Sequence, residues 1–411
     1  MHILLVTERF EPESNPGAIR EYEHCRRWVA AGASVTVLTS VPNFPTGKPL
    51  PPYRNKLYQR EMLDGIQVVR VWTFLAANRG VILRALDFLS FAISSFLAGL
   101  REQPDIIIAT SPQLLAVFSG CLLARVKRKP WIFEVRDLWP DSIVAVGLMR
   151  ENFLIRALHG LEVYLYRKAT CIVAVTEGIA RNIESRASPL GKVIVVHNGA
   201  DTKRFSPRVA DVQLRNKYDL SDSYVVGYIG ALGLSQGLET LIDAASILRN
   251  APIRFLLIGD GAHREHLRSR AAALKLSNVS FLDAIPAAAV PDHIATCDSM
   301  VVLLKDHSVF ALAVPTKLYE AASMERPIIA GVRGEAADLI RRYNAGLVVE
   351  PEDPIALAQA IDWLRQNSDF AREAAKGGRR LADDFDRSHL ADRMLQEIKA
   401  VLRDAPGKRP N

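Results

Sequence analysis

Short runs of β-branched and other apolar residues recur along the chain, separated by longer amphipathic stretches, and this alternation limits the fold more than any other feature. The first series is Ile3–Val6, Val35–Leu38, Val68–Trp72, Ile106–Ala109, Trp131–Val135, Ile172–Val175 and Val193–Val196. Each run is too short for a helix and apolar on both faces, the pattern of a parallel strand covered on both sides. The stretches between them, such as Ala18–Ala31, Leu114–Lys127 and Phe153–Lys168, are long enough to be crossover helices. The first half of the chain is therefore expected to be a doubly wound α/β sheet.

A polar, turn-rich segment, Asn198–Ser223, breaks this rhythm, and Asn198-Gly199 inside it is a strong turn dipeptide. The alternation then restarts with Val225–Ile229, Phe255–Ile258, Val279–Leu282, Met300–Leu304, Ile328–Val332 and Leu347–Val349. Helical patterns, including Leu238–Arg249 and Lys317–Met324, lie between them. The expected organisation is a first domain over 1–205 and a second over 206–385. From 386 to 411 a C-terminal helix is expected to pack back on the first domain, with a frayed Pro-, Gly- and Lys-containing tail from Ala405 to Asn411. Ligands of open parallel sheets bind outside the carboxyl ends of the strands, so a site is expected in the cleft between two such domains.

Charge is distributed unevenly. The first 205 residues hold 26 Lys and Arg against 18 Asp and Glu, whereas the remainder hold 26 against 27, so the net +7 resides in the first half. Such a surface suits an anionic substrate or membrane face; nucleic acid is disfavoured because no basic aromatic platform or zinc finger accompanies the charge. The cluster Arg125, Lys127, Arg128 and Lys129 reads as solvated surface. Cys25, Cys121, Cys171 and Cys297 are too scattered for a disulfide framework or a CxxC zinc site, which fits a reducing cytoplasm. The start, Met1–Pro12, lacks the basic onset and apolar length of a secretory leader. The most apolar long segment, Gly80–Leu100, contains Arg84 and Asp87 and is not expected to span a bilayer; a buried core helix is the favoured reading, with docking on a membrane surface the other.

Several motifs carry chemistry. Gly230, Gly233 and Gly237 follow the second domain's first strand, and Gly259-Asp260-Gly261 follows its second, placing small residues where backbone approaches a ligand. An ordinary strand-to-helix turn is the plain alternative for either alone. In Val314-Pro315-Thr316-Lys317-Leu318-Tyr319-Glu320, Pro315 suits the first turn of a helix, whose amides and Lys317 favour a phosphate. Glu320, one turn on, is placed to accept from a pair of ribose hydroxyls or to be a solvent-facing charge. Asp384-Phe385-Asp386 has the DxD spacing of metal-dependent transferases, but it lies far in sequence from these loops and reads as a turn with a helix cap.

In order along the chain, Asn198–Asp201 with Phe205–Pro207, Gly230–Gly237, Gly259–Gly261, Lys317–Glu320 and Arg326–Ala330 resemble the signposts of retaining nucleotide-sugar glycosyltransferases of the GT-B fold, in which two Rossmann-like domains face each other. Glu134-Val-Arg-Asp-Leu-Trp-Pro-Asp141 further resembles a bacterial subgroup of O-antigen and capsule assembly that includes N-acetylfucosaminyltransferases. The resemblance implies transfer of a sugar, N-acetylated and amino-substituted in that subgroup, from a UDP-linked donor to a polyprenyl-diphosphate-linked glycan at the cytoplasmic membrane surface. It implies no cofactor and no obligatory metal.

It also assigns residues. Gly17 would approach the donor diphosphate, and Glu320 would grip the ribose; the family's first glutamate is Leu312 here. Its usual arginine and lysine after the second domain's first strand are Ala231 and Gln236, which leaves Lys305 and Lys317 as the cations for the diphosphate, with Arg9 or Arg20 as further candidates. Where many relatives have histidine and aspartate, this chain has Arg136 and Asp137; Asp137 would orient a sugar with Arg136 holding it, or the two form an internal ion pair. The expected catalytic residues are Arg136, Asp137 and Lys317. Donor contacts are expected from Gly17, Gly230, Gln236, Gly259, Gly261, Lys305, Val314, Pro315, Thr316, Lys317, Leu318 and Glu320. Two other functions use the same residues: a sugar-nucleotide epimerase and a noncatalytic nucleotide-sugar or glycan binder.

Overall fold

In the computed structural model, which describes residues 1–13, 15–44, 46–75 and 81–404, the apolar runs form two separate sheets. The first contains β1 (His2–Val6), β2 (Ser34–Ser40), β3 (Tyr58–Leu63), β4 (Ile66–Val71), β5 (Ile106–Thr110), β6 (Trp131–Val135), β7 (Cys171–Ala174) and β8 (Lys192–Val195), in the order β3-β4-β2-β1-β5-β6-β7-β8. Its pairings are parallel except β3 against β4. The antiparallel β3 was not expected, because its sequence, YQREML, has no apolar run. The Asp64-Gly65 turn that joins it to β4, both residues at positive φ, is a hairpin signal independent of apolar runs.

The helices between these strands are α1 (Pro16–Ala30), α2 (Val81–Gly99), α3 (Leu114–Lys127), α4 (Asp141–Ala145), α5 (Phe153–Lys168) and α6 (Glu177–Ala187). The second sheet holds β9 (Tyr224–Ile229), β10 (Ile253–Ile258), β11 (Val279–Leu282), β12 (Ser299–Leu303), β13 (Ile328–Gly331) and β14 (Gly346–Val349), all parallel, in the order β11-β10-β9-β12-β13-β14. Its helices are α7 (Val212–Lys217), α8 (Glu239–Ile247), α9 (Arg264–Ala273), α10 (Val290–Ala295), α11 (Thr316–Ser323), α12 (Glu335–Tyr343), α13 (Pro354–Gln366) and α14 (Ser368–Asp384). The last helix is α15 (Arg387–Asp404).

Two units result: Met1–His197 with the segment from Arg387 onward, and Asn198–Asp386. The division falls at Asn198 instead of the expected 206, because the backbone of 198–205 is satisfied by the second unit. Ala200 donates to the Phe385 carbonyl at 3.3 Å, and Ser323 Oγ donates to the Phe205 carbonyl. In the first unit α15 completes the core: Leu390, Met394, Leu395 and Ile398 join Ile3 and Leu5 of β1 and Trp28 of α1. Trp28 Nε1 donates to the Ala391 carbonyl at 3.0 Å, and Arg27 forms a two-point pair with Asp392. The tail Ala405–Asn411, read as frayed, and Gly80 lie outside the described residues.

The favoured reading of the apolar segment as a buried core helix is corrected. α2 buries Phe91, Ala92, Ser95 and Ala98, whereas Leu83, Leu86, Leu89, Ile93 and Leu97 are 44–55% exposed. The reason is one-sided packing: α2 lies on α3, β2 and β4 through a single stripe. No helix among the described residues is long and apolar enough to cross a membrane.

An ion network is sealed inside the first unit. Arg20, 1% exposed, pairs with Glu134 of β6 and with Glu21 at 3.2 Å, and its other nitrogen donates to the Val196 carbonyl at 3.4 Å. Burial, and after it the Glu134 charge, pushes Glu21 up to about 8, so its carboxyl is largely protonated at neutral pH. Burial acts in the same sense on Glu134, but Arg20 and the hydrogen bonds outweigh it and hold that group below the usual range. Removing one partner leaves a buried charge uncompensated. Arg20→Ala should therefore lower unfolding stability by about 3–5 kcal/mol, measured by urea titration at pH 7; a loss within 1 kcal/mol would contradict the network's role.

Candidate functional site

The strand order of the second sheet reverses direction between β9 and β12, and the chain leaves both strands there at their carboxyl ends. Loops from two directions thus converge on one crevice, where ligands of open α/β sheets are bound. Gly230 follows β9 at φ 144°, and Leu234–Gln236 form a single 3-10 turn closed by Gly237 in the left-handed conformation. α8 begins only at Glu239, so Gly237 precedes the helix instead of opening it.

The glycine loops after β9 and β10 touch each other. A Cβ at Gly259 would stand 1.9 Å from the Gly230 carbonyl oxygen, and one at Gly261 would stand 2.4 Å from the Leu232 carbonyl oxygen. Two amides of the first loop fasten the contact: Gly230 donates to the Ile258 carbonyl and Leu232 to the Asp260 carbonyl, each at 2.9 Å. Gly259 and Gly261 are thereby explained by the approach of one loop to another. Gly230 faces Lys317, since a Cβ there would lie 3.4 Å from Lys317 Cε.

Lys317 comes from α11, which follows β12. Pro315 is the N-cap of this helix, not a member of its first turn, and offers no side-chain acceptor to the amides behind it. Thr316 and Lys317 open the helix, Val314 is buried, and Leu318 is fully buried in the core, so Leu318 has only its main chain to offer a ligand. Lys317 Nζ donates to Tyr228 Oη and to Gln236 Oε1, each at 2.6 Å, and lies 4.1 Å from the centre of the Tyr228 ring. Burial pushes the ammonium down to about 7, against the opposing influence of the Glu320 carboxylate one turn later. Gln236 thus takes the place of a second cation with an acceptor for the first. Lys305, just past β12, donates its amide to the Ser235 carbonyl at 3.0 Å and packs its stem by Gly237. Leu312 ends a 3-10 turn and presents no carboxylate where the family's first glutamate is expected.

Tyr228 was not singled out in the sequence, where it is one member of an apolar run. Its hydroxyl donates to the Ala231 carbonyl at 2.7 Å and so accepts from Lys317. The DxD triplet is engaged elsewhere: Tyr343 Oη donates to Asp384 at 2.6 Å, and the Thr202 amide and hydroxyl donate to Asp386.

The first sheet has its own reversal, between β1 and β5. There Asn15 caps α1 by accepting from the Ala18 amide at 2.9 Å, and Gly17 lies in the first turn. Arg136, after β6, donates from Nε and Nη2 to the Ser111 carbonyl at 2.8 and 2.6 Å. A Cβ on Gly17 would stand 2.3 Å from Arg136 Nη1, so only glycine lets this guanidinium lie over the helix start. The Arg136 charge acts on Asp137, but the two make no close ion pair. Arg136 faces Glu21 at 3.6 Å, while Asp137 is exposed and joins Ser111 through its amide at 3.4 Å. Arg20 is committed to the interior network, and Arg9 is held by Glu13 at 3.1 Å and Asn43 at 3.0 Å, so neither is placed as a loose cation.

Two doubly wound parallel sheets, each with polar groups at its reversal point, define the GT-B class. Comparison with known proteins agrees: residues 18–199 match the glycosyl transferase 4-like domain and residues 223–367 match glycosyl transferases group 1. The chain belongs to the group 1 glycosyltransferases. The putative colanic acid biosynthesis glycosyl transferase WcaI of Escherichia coli (strain K12) is 29% identical over 92% of this chain and 96% of its own. Among solved structures, sucrose-phosphate synthase from Thermosynechococcus elongatus has a TM-score of 0.80 at 18% identity, covering 98% of this chain and 99% of that one. Anabaena Alr3699/HepE in complex with UDP-glucose has a TM-score of 0.72 at 17% identity, covering 97% and 100%.

The geometry at Lys317 has a direct spectroscopic consequence. In the ligand-free protein its ammonium should titrate near 7, followed by carbon-13 NMR of the ε-methylene, and Tyr228→Phe should change that midpoint. A midpoint near 10 would show that the side chain is solvated.

Proposed function

We propose that the protein is a retaining glycosyltransferase that moves an N-acetylated amino sugar from a UDP-linked donor to a lipid-linked glycan during assembly of a cell-surface polysaccharide. The observation that carries this reading is Lys317, partly desolvated and held by Tyr228 and Gln236 where β9 and β12 diverge. With its titration near neutrality, the Lys317 amine takes up a proton from solvent when a diphosphate arrives, and the resulting ammonium neutralises the charge that accumulates as the anomeric bond breaks. The first amides of α11, left without a side-chain cap, add to the positive charge of Lys317, and departure by this route requires no divalent metal or further cofactor. Glu320 accepts from the ribose hydroxyls. In the first unit Asp137 orients a sugar hydroxyl, and Arg136, carried over Gly17 by Ser111, supplies positive charge. Attack from the face of departure, through an oxocarbenium-like state, retains the anomeric configuration. The name of the WcaI relative supports the polysaccharide reading, and the UDP-glucose complex of HepE supports the nucleotide.

Glu320→Ala should weaken UDP binding about tenfold, or ~1.4 kcal/mol, by calorimetry. Lys317→Ala should depress donor hydrolysis and transfer more than donor affinity. Normal UDP affinity in the first variant would take Glu320 out of the site, and normal turnover in the second would take Lys317 out of leaving-group stabilisation. A thermal-shift panel of nucleotide sugars identifies base and sugar, since a ligand of the folded state raises apparent stability.

The exposed leucine stripe of α2 supports work at a membrane surface. Leu83, Leu86, Leu89, Ile93 and Leu97 form an apolar face with exposed Arg101 just past its end, the composition of an interfacial helix facing anionic lipid. The native protein should float with phosphatidylglycerol-containing vesicles, and Leu86→Asp with Ile93→Asp should abolish flotation without unfolding the chain. Equal flotation of native and variant proteins would exclude this face.

A further inference from the structure

We infer that Glu239, His263 and His266 form a binding site for one Zn2+ in the second unit. Glu239 is the first residue of α8, His263 caps α9, and His266 lies in that helix's first turn. His263 Nε2 is 3.3 Å from Glu239 Oε1, and His266 Nε2 is 3.9 Å from the same oxygen. One ligand atom from each of the three lies within 4.8 Å of the others. Zinc holds imidazole nitrogen at about 2.0–2.1 Å and carboxylate oxygen at about 2.0–2.2 Å, so tetrahedral ligand atoms stand roughly 3.3 Å apart. The His263–Glu239 spacing already meets that value. His266, whose side chain is 55% exposed, is free to tilt from its parallel stack on His263 and close the remaining gap.

The chemistry of the trio suits zinc and disfavours magnesium. Two imidazoles and one carboxylate are a borderline donor set with an open fourth position for water, whereas Mg2+ requires oxygen ligands. His263 Nδ1 is buried without a partner, so the polar interactions of this ring pass through Nε2. Lys305 is the cation that opposes the metal.

An ion here would clasp the starts of α8 and α9. The His263 amide donates to the Leu232 carbonyl at 3.0 Å, so the clasp would reach the contact between the two glycine loops. The ion has no part in departure of the leaving group, and the inference stands independently of the proposed transfer reaction.

Chelator-stripped protein should bind one equivalent of ZnCl2 by calorimetry and give no heat with MgCl2. Excess Zn2+ should raise its Tm, and Co2+ in place of Zn2+ should give intense visible bands typical of a four-coordinate site. His266→Ala and Glu239→Gln should each weaken Zn2+ binding at least tenfold, and His266→Cys should restore it. Circular dichroism identifies any variant that fails to fold; His266 is exposed, so its variants report even if Glu239→Gln does not. Failure of the native protein to bind Zn2+, or unchanged affinity in folded His266→Ala, would overturn the site and leave the trio as an imidazole–carboxylate hydrogen-bond cluster.

Discussion

The Gly230 carbonyl lies so close to Gly259 that no side chain fits between them, and the second unit's candidate site depends on this approach. Because the Gly230 and Leu232 amides fasten the first loop to the second, the segment after β9 is held where it leaves the sheet. Tyr228 and Gln236, whose Oη and Oε1 lie 3.1 Å apart, are then fixed where Lys317 reaches them from α11. A lysine so placed loses much of its hydration, and its proton affinity falls until an anion restores it. Glycine at 259 and 261 is thus an indirect requirement of the lysine's chemistry.

The first unit treats its charges in two ways. Arg20 directs both terminal nitrogens into the protein, to Glu134, Glu21 and Val196, and contributes to the integrity of the sheet. Arg136 is supported from one side by the Ser111 carbonyl and directs Nη1 toward the start of α1. Both are arginines near the carboxyl ends of strands, and composition alone does not separate them. What separates them is burial: both approach the same Glu21 oxygen, but Arg20 is sealed while Arg136 keeps part of its side chain exposed.

Much of the architecture was legible in the chain. Thirteen of the strands coincide with apolar runs to within two residues at each end, since burial on both faces requires unbroken apolar sequence. β3 escaped because an edge strand with a solvated face needs no such run. The domain boundary lies at Asn198 and not at 206 because 198–205 reads as a polar turn of either domain, while its hydrogen-bond partners, Phe385 and Ser323, are more than a hundred residues away. α2 was misjudged because apolar content does not say how many sides of a helix find a neighbour. Lys317 and Glu320 were readable from their helical spacing, but Tyr228, Ser111 and Glu21 were not, because each looks like an ordinary core or turn residue.

The sequence by itself determined the two doubly wound sheets, their crossover helices and the positions of the glycine and Lys-Leu-Tyr-Glu loops, because periodicity and turn chemistry are local properties. Only the tertiary structure decided that Lys317 bonds Tyr228 and Gln236, that Arg20 is sealed while Arg136 faces α1, that α2 bares its leucines, and that two histidines of α9 meet a glutamate of α8. These outcomes depend on distances between segments remote along the chain, and burial and charge pairing are set by those distances.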